Sequence, residues 1–210
     1  MDKLDNVINF YFLASNLKDK IRTGWIQIGI EKERLESVAE HIYGCLILTL
    51  ALDSEYKLEL DMYKVLKMII LHELEEIIMG DLTIRSKITK EEKFELGKKY
   101  VHDIVKDLCR ANEIEELLEE FNLRKTKESQ FCYYIDKIEC DFQAKKYDLE
   151  GVFDVEKAKE DLAFYGQESK RIEKVSKTAS DYWIEYDKPK FNDDKIFREL
   201  LSKMQEKKVL

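Results

Sequence analysis

A single proline, Pro189, and seven glycines punctuate 210 residues. Hairpins and tight turns draw heavily on those two residue types, so a β-rich architecture lacks its punctuation here. Long helices do not need it. The spacing of apolar residues agrees: Val7, Phe10, Tyr11, Leu13 and Leu17 recur at helical intervals and predict a first helix, ended by the loop around Thr23 and Gly24. A second helix is predicted over 37–53, with Val38, Ile42, Cys45, Leu46, Leu48, Thr49 and Leu52 inward. A third follows over 61–79 with Gly80 as its stop, then others over 90–110, 114–121 and 128–149. Beyond Gly151 the pattern loosens into 155–164, 168–186 and 193–204, and the last dozen residues are expected to fray. The predicted fold class is all-α: a helical core over 1–150 and a helical C-terminal extension over 151–210 packed on it.

At 44% hydrophobic and 38% charged residues, the chain can bury a sizeable core behind a solvated surface. Its net charge of −8 argues against a broad basic face for nucleic acid, and leaves a small anionic substrate open, since that needs only a local pocket. No apolar run reaches 18 residues, and the opening MDKLDNVINF lacks a signal-peptide layout, so no membrane segment is expected and the expected location is cytoplasmic. Cys45, Cys109, Cys132 and Cys140 form no CxxC pair and read as reduced thiols.

One stretch departs from an ordinary helix edge. IILHELEEIIMGD, residues 69–81, places His72 beside Glu73, with Glu75, Glu76 and Asp81 close behind and no base before Arg85. Two familiar metal motifs fail. HELEE has Glu76 where a zincin needs its second histidine, and no Glu-x-x-His pair of a di-iron bundle occurs. His102, in YVHDIVKD, reads as structural. His41 and His72 each neighbour an acid on an apolar helix, and Asp136 interrupts the apolar run Tyr133, Tyr134, Ile135, a costly place for an unpaired carboxylate. Two imidazoles and two carboxylates suit a first-row divalent metal with open positions for water and substrate.

His, His-acid and Asp on successive helices resemble the signature of HD-domain phosphohydrolases. ESVAEH (36–41), RTGW (22–25), HELEEIIMGD (72–81) and IDKIECDFQA (135–144) resemble, in order, segments of one branch. That branch holds the bacterial 5′-deoxynucleotidases (YfbR-like) and their eukaryotic HD-domain relatives. The resemblance covers roughly residues 1–150. It implies an HD-type helical bundle and hydrolysis of a small phosphate monoester, foremost a (deoxy)nucleoside 5′-monophosphate. It also implies one divalent ion (manganese, cobalt, iron, nickel or zinc) held by His41, His72, Glu73 and Asp136. The matching glutamate of the related enzymes is catalytic, which gives Glu76 the acid/base role. Asp81 matches an aspartate near the substrate, Arg22 is the natural phosphate clamp, and Trp25 either packs on the sugar or shapes the wall.

The family's second histidine is followed by aspartate, and this chain carries Glu73, one methylene longer. A degenerate HD protein that binds metal or nucleotide without turnover is therefore the alternative. A helical interaction module with structural histidines is a third reading. On a continuous helix Glu75 is rotated about 100° from Glu76 and is expected to face solvent. The extension after Gly151 either covers the site or mediates homodimerisation; the sequence leaves both open.

Overall fold

In the computed structural model, residues 2–209 are described. They form helices joined by turns, with no sheet among them; Ile21 and Ser37 make an isolated antiparallel bridge. The chain falls into two compact units that cut across the expected boundary at residue 150. The first runs to Arg22 and resumes over Glu36–Tyr133; the second takes Thr23–Leu35 and the chain from Tyr134 onward.

The first unit holds α1 (Lys3–Ser15), α3 (Val38–Tyr56), α4 (Met62–Leu71), α5 (Glu76–Met79), α6 (Lys90–Val105) and α7 (Ala111–Leu123); α2 (Thr23–Gln27) lies in the second unit. Its core joins Leu17, Val38, Ile42, Leu74, Ile77, Val101, Ile104, Val105 and Leu118. Phe10 and Leu13 of α1 lean on this core as expected, whereas Val7 and Tyr11 are exposed. Helix starts are set by side chains. Ser37 and Glu40 form a reciprocal capping box at α3, Asp61 accepts from the Lys64 amide at α4, and Thr89 pairs with Glu92 at α6.

The helix expected over 61–79 is broken. It stops at Leu71, and the backbone tightens through Leu74 N–H to Leu71 O (2.9 Å), Glu76 N–H to Glu73 O (3.1 Å) and Ile77 N–H to Leu74 O (3.3 Å). These bonds span three residues, the 3₁₀ pattern, in which side chains three apart eclipse. Glu73 and Glu76 thereby share a face.

The second unit contains α2 (Thr23–Gln27), α9 (Val155–Glu160), α10 (Ser169–Val175), α11 (Ala179–Asp187) and α12 (Lys195–Glu206). The long α8 (Lys127–Leu149) belongs to the first unit up to Tyr133 and to the second from Tyr134. The second core gathers Trp25, Ile28, Ala144, Tyr147, Phe153, Tyr165, Ile172 and Tyr182. Trp25 stacks on Trp183 with centroids 4.5 Å apart and meets Tyr147 edge-on at 5.2 Å. The helix expected over 168–186 is two helices, because Ser176 is extended and Thr178 and Asp181 cap a fresh start. Fraying expected over the last dozen residues is corrected for 199–206, where α12 persists, anchored by buried Leu201 and Met204; 207–209 carry no helix, and Leu210 lies outside the described residues.

Candidate metal centre

Six of the residues singled out by sequence meet within the first unit. Arg22 is fixed first: its amide donates to the Glu36 carbonyl at 3.0 Å and the Val38 amide donates to Lys20 at 2.8 Å, clipping the segment before α2 to the start of α3. The Ser37 cap sets the phase of α3, so His41 falls one turn in, on the fully buried face with Cys45. Cys45 Sγ lies 3.7 Å from His41 Nε2 and 3.9 Å from Nδ1, so the thiol packs beside the ring.

His72 closes α4, and its Nδ1 lies 2.7 Å from the Ile69 carbonyl. A carbonyl only accepts, so Nδ1 carries the proton and Nε2 keeps its lone pair. Phe121 packs against the same ring with centroids 5.4 Å apart. The two imidazoles approach with centroids 5.4 Å apart, and both aim Nε2 at one atom. Glu73 Oε1 lies 3.6 Å from His41 Nε2, 3.4 Å from His72 Nε2 and 3.1 Å from Arg22 Nη1. The extra methylene of Glu73 thus carries its oxygen to the point where the histidines converge.

Asp81, after Gly80 at φ +80°, sits 3.9 Å from the same Arg22 nitrogen. Glu76 is 2% exposed, and its Oε2 is buried with no hydrogen-bond partner among the described residues. Its carboxyl is pushed well above the usual carboxylate range, first by burial and then by the charges of Glu73 and Asp81, with Arg22 pulling it back.

Glu75 corrects the solvent-facing expectation. Because 72–75 is not a regular helix, its side chain turns inward and lines a cavity of about 230 Å³ with Gly97, Lys98, Val101 and Leu118. Burial, then the nearby Glu73 charge, push its carboxyl up to about 7.

Trp25 and Asp136 belong to the second unit. Trp25 is 1% exposed in that unit's core. Asp136, on α8, is buried and pairs with Lys137 at 2.8 Å. Cys45 was legible as the residue one turn after His41; Phe121 and the Ile69 carbonyl had no sequence signal.

The donor chemistry fits a divalent cation. Two donors each about 2.1 Å from one metal ion sit roughly 3.0–3.4 Å apart. The carboxylate–imidazole separations of 3.4 and 3.6 Å are close to that spacing. Glu73 and Asp81 both approach Arg22 Nη1 and their charges bear on the buried Glu76, a concentration of negative charge that a cation of charge two would relieve.

A model of the HD domain matches residues 14–180. The chain belongs to the HD-domain family. The match runs past residue 150, in keeping with a second unit that takes in the C-terminal helices. This HD-domain chain is 34% identical over 152 residues to the 5′-deoxynucleotidase HDDC2 of Dictyostelium discoideum, across 69% of this chain and 79% of that protein. It is 33% identical over 149 residues to the 5′-deoxynucleotidase hdd1 of Schizosaccharomyces pombe, across 68% and 73%. Among solved structures, a conserved hypothetical protein from Pyrococcus furiosus matches with a TM-score of 0.67 and 26% identity, over 94% of this chain and 98% of that one.

Proposed function

We propose that this HD-domain chain is a metal-dependent phosphohydrolase that cleaves a nucleoside 5′-monophosphate, a deoxynucleotide foremost. The observation that carries the reading is the convergence of His41 Nε2, His72 Nε2, Glu73 Oε1 and Arg22 Nη1, with the buried carboxyl of Glu76 on the same side of the turn. The names of the relatives support the substrate class.

His41, His72 and Glu73 would hold the ion, with Asp136 as the fourth ligand on the strength of the family pattern. The bound ion would polarise a phosphoryl oxygen and lower the pKa of its water. The planar Arg22 guanidinium, beside Glu73 and Asp81, is the group that would pair bidentately with phosphate oxygens. Glu76 moves the proton: as water oxygen bonds to phosphorus and the bond from phosphorus to the 5′ oxygen breaks, the leaving oxygen takes a proton, giving nucleoside and inorganic phosphate. Asp81 orients the attacking water or a sugar hydroxyl. Trp25, buried in the second core, keeps its role of packing on the sugar or shaping the wall on the strength of the family pattern alone. The reading includes a cytoplasmic setting, supported by four cysteines that stand outside any disulfide among the described residues; no helix among the described residues is long and apolar enough to cross a membrane.

The test is a screen of purified, metal-reconstituted protein for phosphate release across ribo- and deoxynucleoside monophosphates. Release from nucleoside monophosphates that disappears with a chelator is expected. Tight nucleotide binding with no release would replace the enzyme by the degenerate binding protein.

A further inference from the structure

Cys45 stands one turn after His41 on the buried face of α3, and both residues are closed off from solvent. Its Sγ lies 3.7 Å from His41 Nε2, the nitrogen that also faces Glu73 Oε1 at 3.6 Å. A nitrogen and a sulfur bound to one tetrahedral ion, about 2.1 and 2.3 Å from it, stand about 3.6 Å apart. One donor atom from each of His41, Cys45 and His72 lies within 4.8 Å of the other two. The two imidazoles therefore belong to two overlapping donor sets. One is completed by the Glu73 carboxylate, the other by a thiol.

We propose that Cys45 is the metal-selecting residue of this centre, an assignment that rests on the metal reading above. On a thiophilic ion such as zinc or cobalt, its sulfur joins His41 and His72 in the position that Glu73 takes on a hard ion such as manganese. Softness sorts the donors, since thiolate favours zinc and carboxylate suits manganese. Burial sharpens the choice. A thiolate walled off from water is costly without a cation beside it, so the sulfur keeps its proton until an ion arrives. On coordination the metal–sulfur bond forms as the S–H proton passes to solvent. Glu73 can give way, because Arg22 Nη1 stands 3.1 Å from its Oε1 and keeps the released carboxylate paired. The cation itself is called for by a separate observation: Glu76, 2% exposed and under the Glu73 charge, has a buried Oε2 with no hydrogen-bond partner among the described residues. Buried cysteines also serve as small apolar side chains, a role that puts no sulfur on the metal.

The absorption spectrum of the full chain loaded with cobalt(II) separates the two roles. The parent should show an intense thiolate-to-cobalt charge-transfer band in the near ultraviolet. The band should vanish in Cys45→Ser and in Cys45→Ala, with cobalt still bound and helical circular dichroism unchanged; two variants guard against one failing to fold. Zinc affinity should fall on the order of 10- to 100-fold in both, while manganese affinity holds. Cobalt bound to the parent without the band overturns the inference and leaves the metal centre standing. So does a band that survives both substitutions, whether Cys109→Ser or Cys140→Ser then removes it. A parent that binds no cobalt, zinc or manganese removes the metal reading and this inference together.

Discussion

In the second unit, Asp181 accepts from the amides of Lys177 (2.8 Å) and Thr178 (2.9 Å) and from the Gln205 side chain (2.7 Å). Asp161 accepts from Trp183 at 3.1 Å, Glu185 pairs with Arg171 at 3.1 Å and with Lys188, and Asp187 pairs with Lys190. Each is buried, and each has a donor of its own. In the first unit, the side chains of Glu73, Glu76 and Asp81 are also enclosed, and Glu73 and Asp81 both approach Arg22 Nη1 while their charges bear on Glu76. Buried acids that each own a donor hold a fold together. Acids gathered so that each raises the cost of its neighbour's charge, with two imidazole nitrogens aimed among them, favour added positive charge. Asp141 breaks the pattern of the second unit: its Oδ2 is buried without a hydrogen bond, and burial followed by the Asp187 charge pushes its carboxyl well up. Asp141 itself joins no cluster of potential metal donors among the described residues, and a protonated carboxyl is the simpler account.

Substitutions can break this contrast in order of size. His72→Ala removes an imidazole from the crowded site. It should abolish metal binding in elemental analysis and cut phosphate release on the order of 10³-fold, the several kcal/mol a bound ion supplies. Glu76→Gln keeps shape and burial but removes the movable proton, so kcat should fall about 10²- to 10⁴-fold with metal content unchanged. Loss of metal in that variant would move Glu76 among the ligands. Arg22→Ala deletes a charged donor to substrate, worth roughly 1.5–3 kcal/mol, and should raise KM by about 10- to 100-fold while metal content holds. An unchanged KM and kcat would remove Arg22 from the site.

The smallest effect belongs to the paired acids. Asp181→Ala should lower stability by ~1 kcal/mol, as loss of a helix cap does, with metal content and turnover untouched. Burial alone would raise the Asp181 carboxyl, but Gln205 and the two amides hold it below its ordinary value of 3.8. A depressed carboxyl contributes stability that is present above the unfolded value and lost as pH falls through the folded one. The gap in melting temperature between parent and Asp181→Ala should therefore narrow below about pH 4. A gap that persists there would trace the effect to packing.

Much of this was legible in the sequence because it is local. The all-α class followed from scarce proline and glycine, and His41, His72, Glu73, Glu76, Asp81 and Arg22 were marked by motif and by unbalanced charge. What escaped depended on backbone detail or on distant chain. Glu75 was misplaced because a regular helix was assumed where the backbone tightens between Leu71 and Ile77. The boundary at 150 missed that 23–35 joins the C-terminal helices, since Trp25 finds Tyr147 and Trp183 only after folding. Phe121 gives no sign, along the chain, of packing on His72.

Glu73 stands where relatives with the HD signature have aspartate, and its oxygen is the point on which Arg22, His41 and His72 converge. The central claim therefore rests on what that oxygen holds. Elemental analysis of reconstituted parent, Glu73→Asp and Glu73→Ala proteins tests it most directly. The account predicts about one divalent ion per chain in the parent, retention in Glu73→Asp with a moderate change in activity, and loss in Glu73→Ala. A parent that takes up no ion, or a Glu73→Ala protein that binds it as tightly as the parent, would contradict the account.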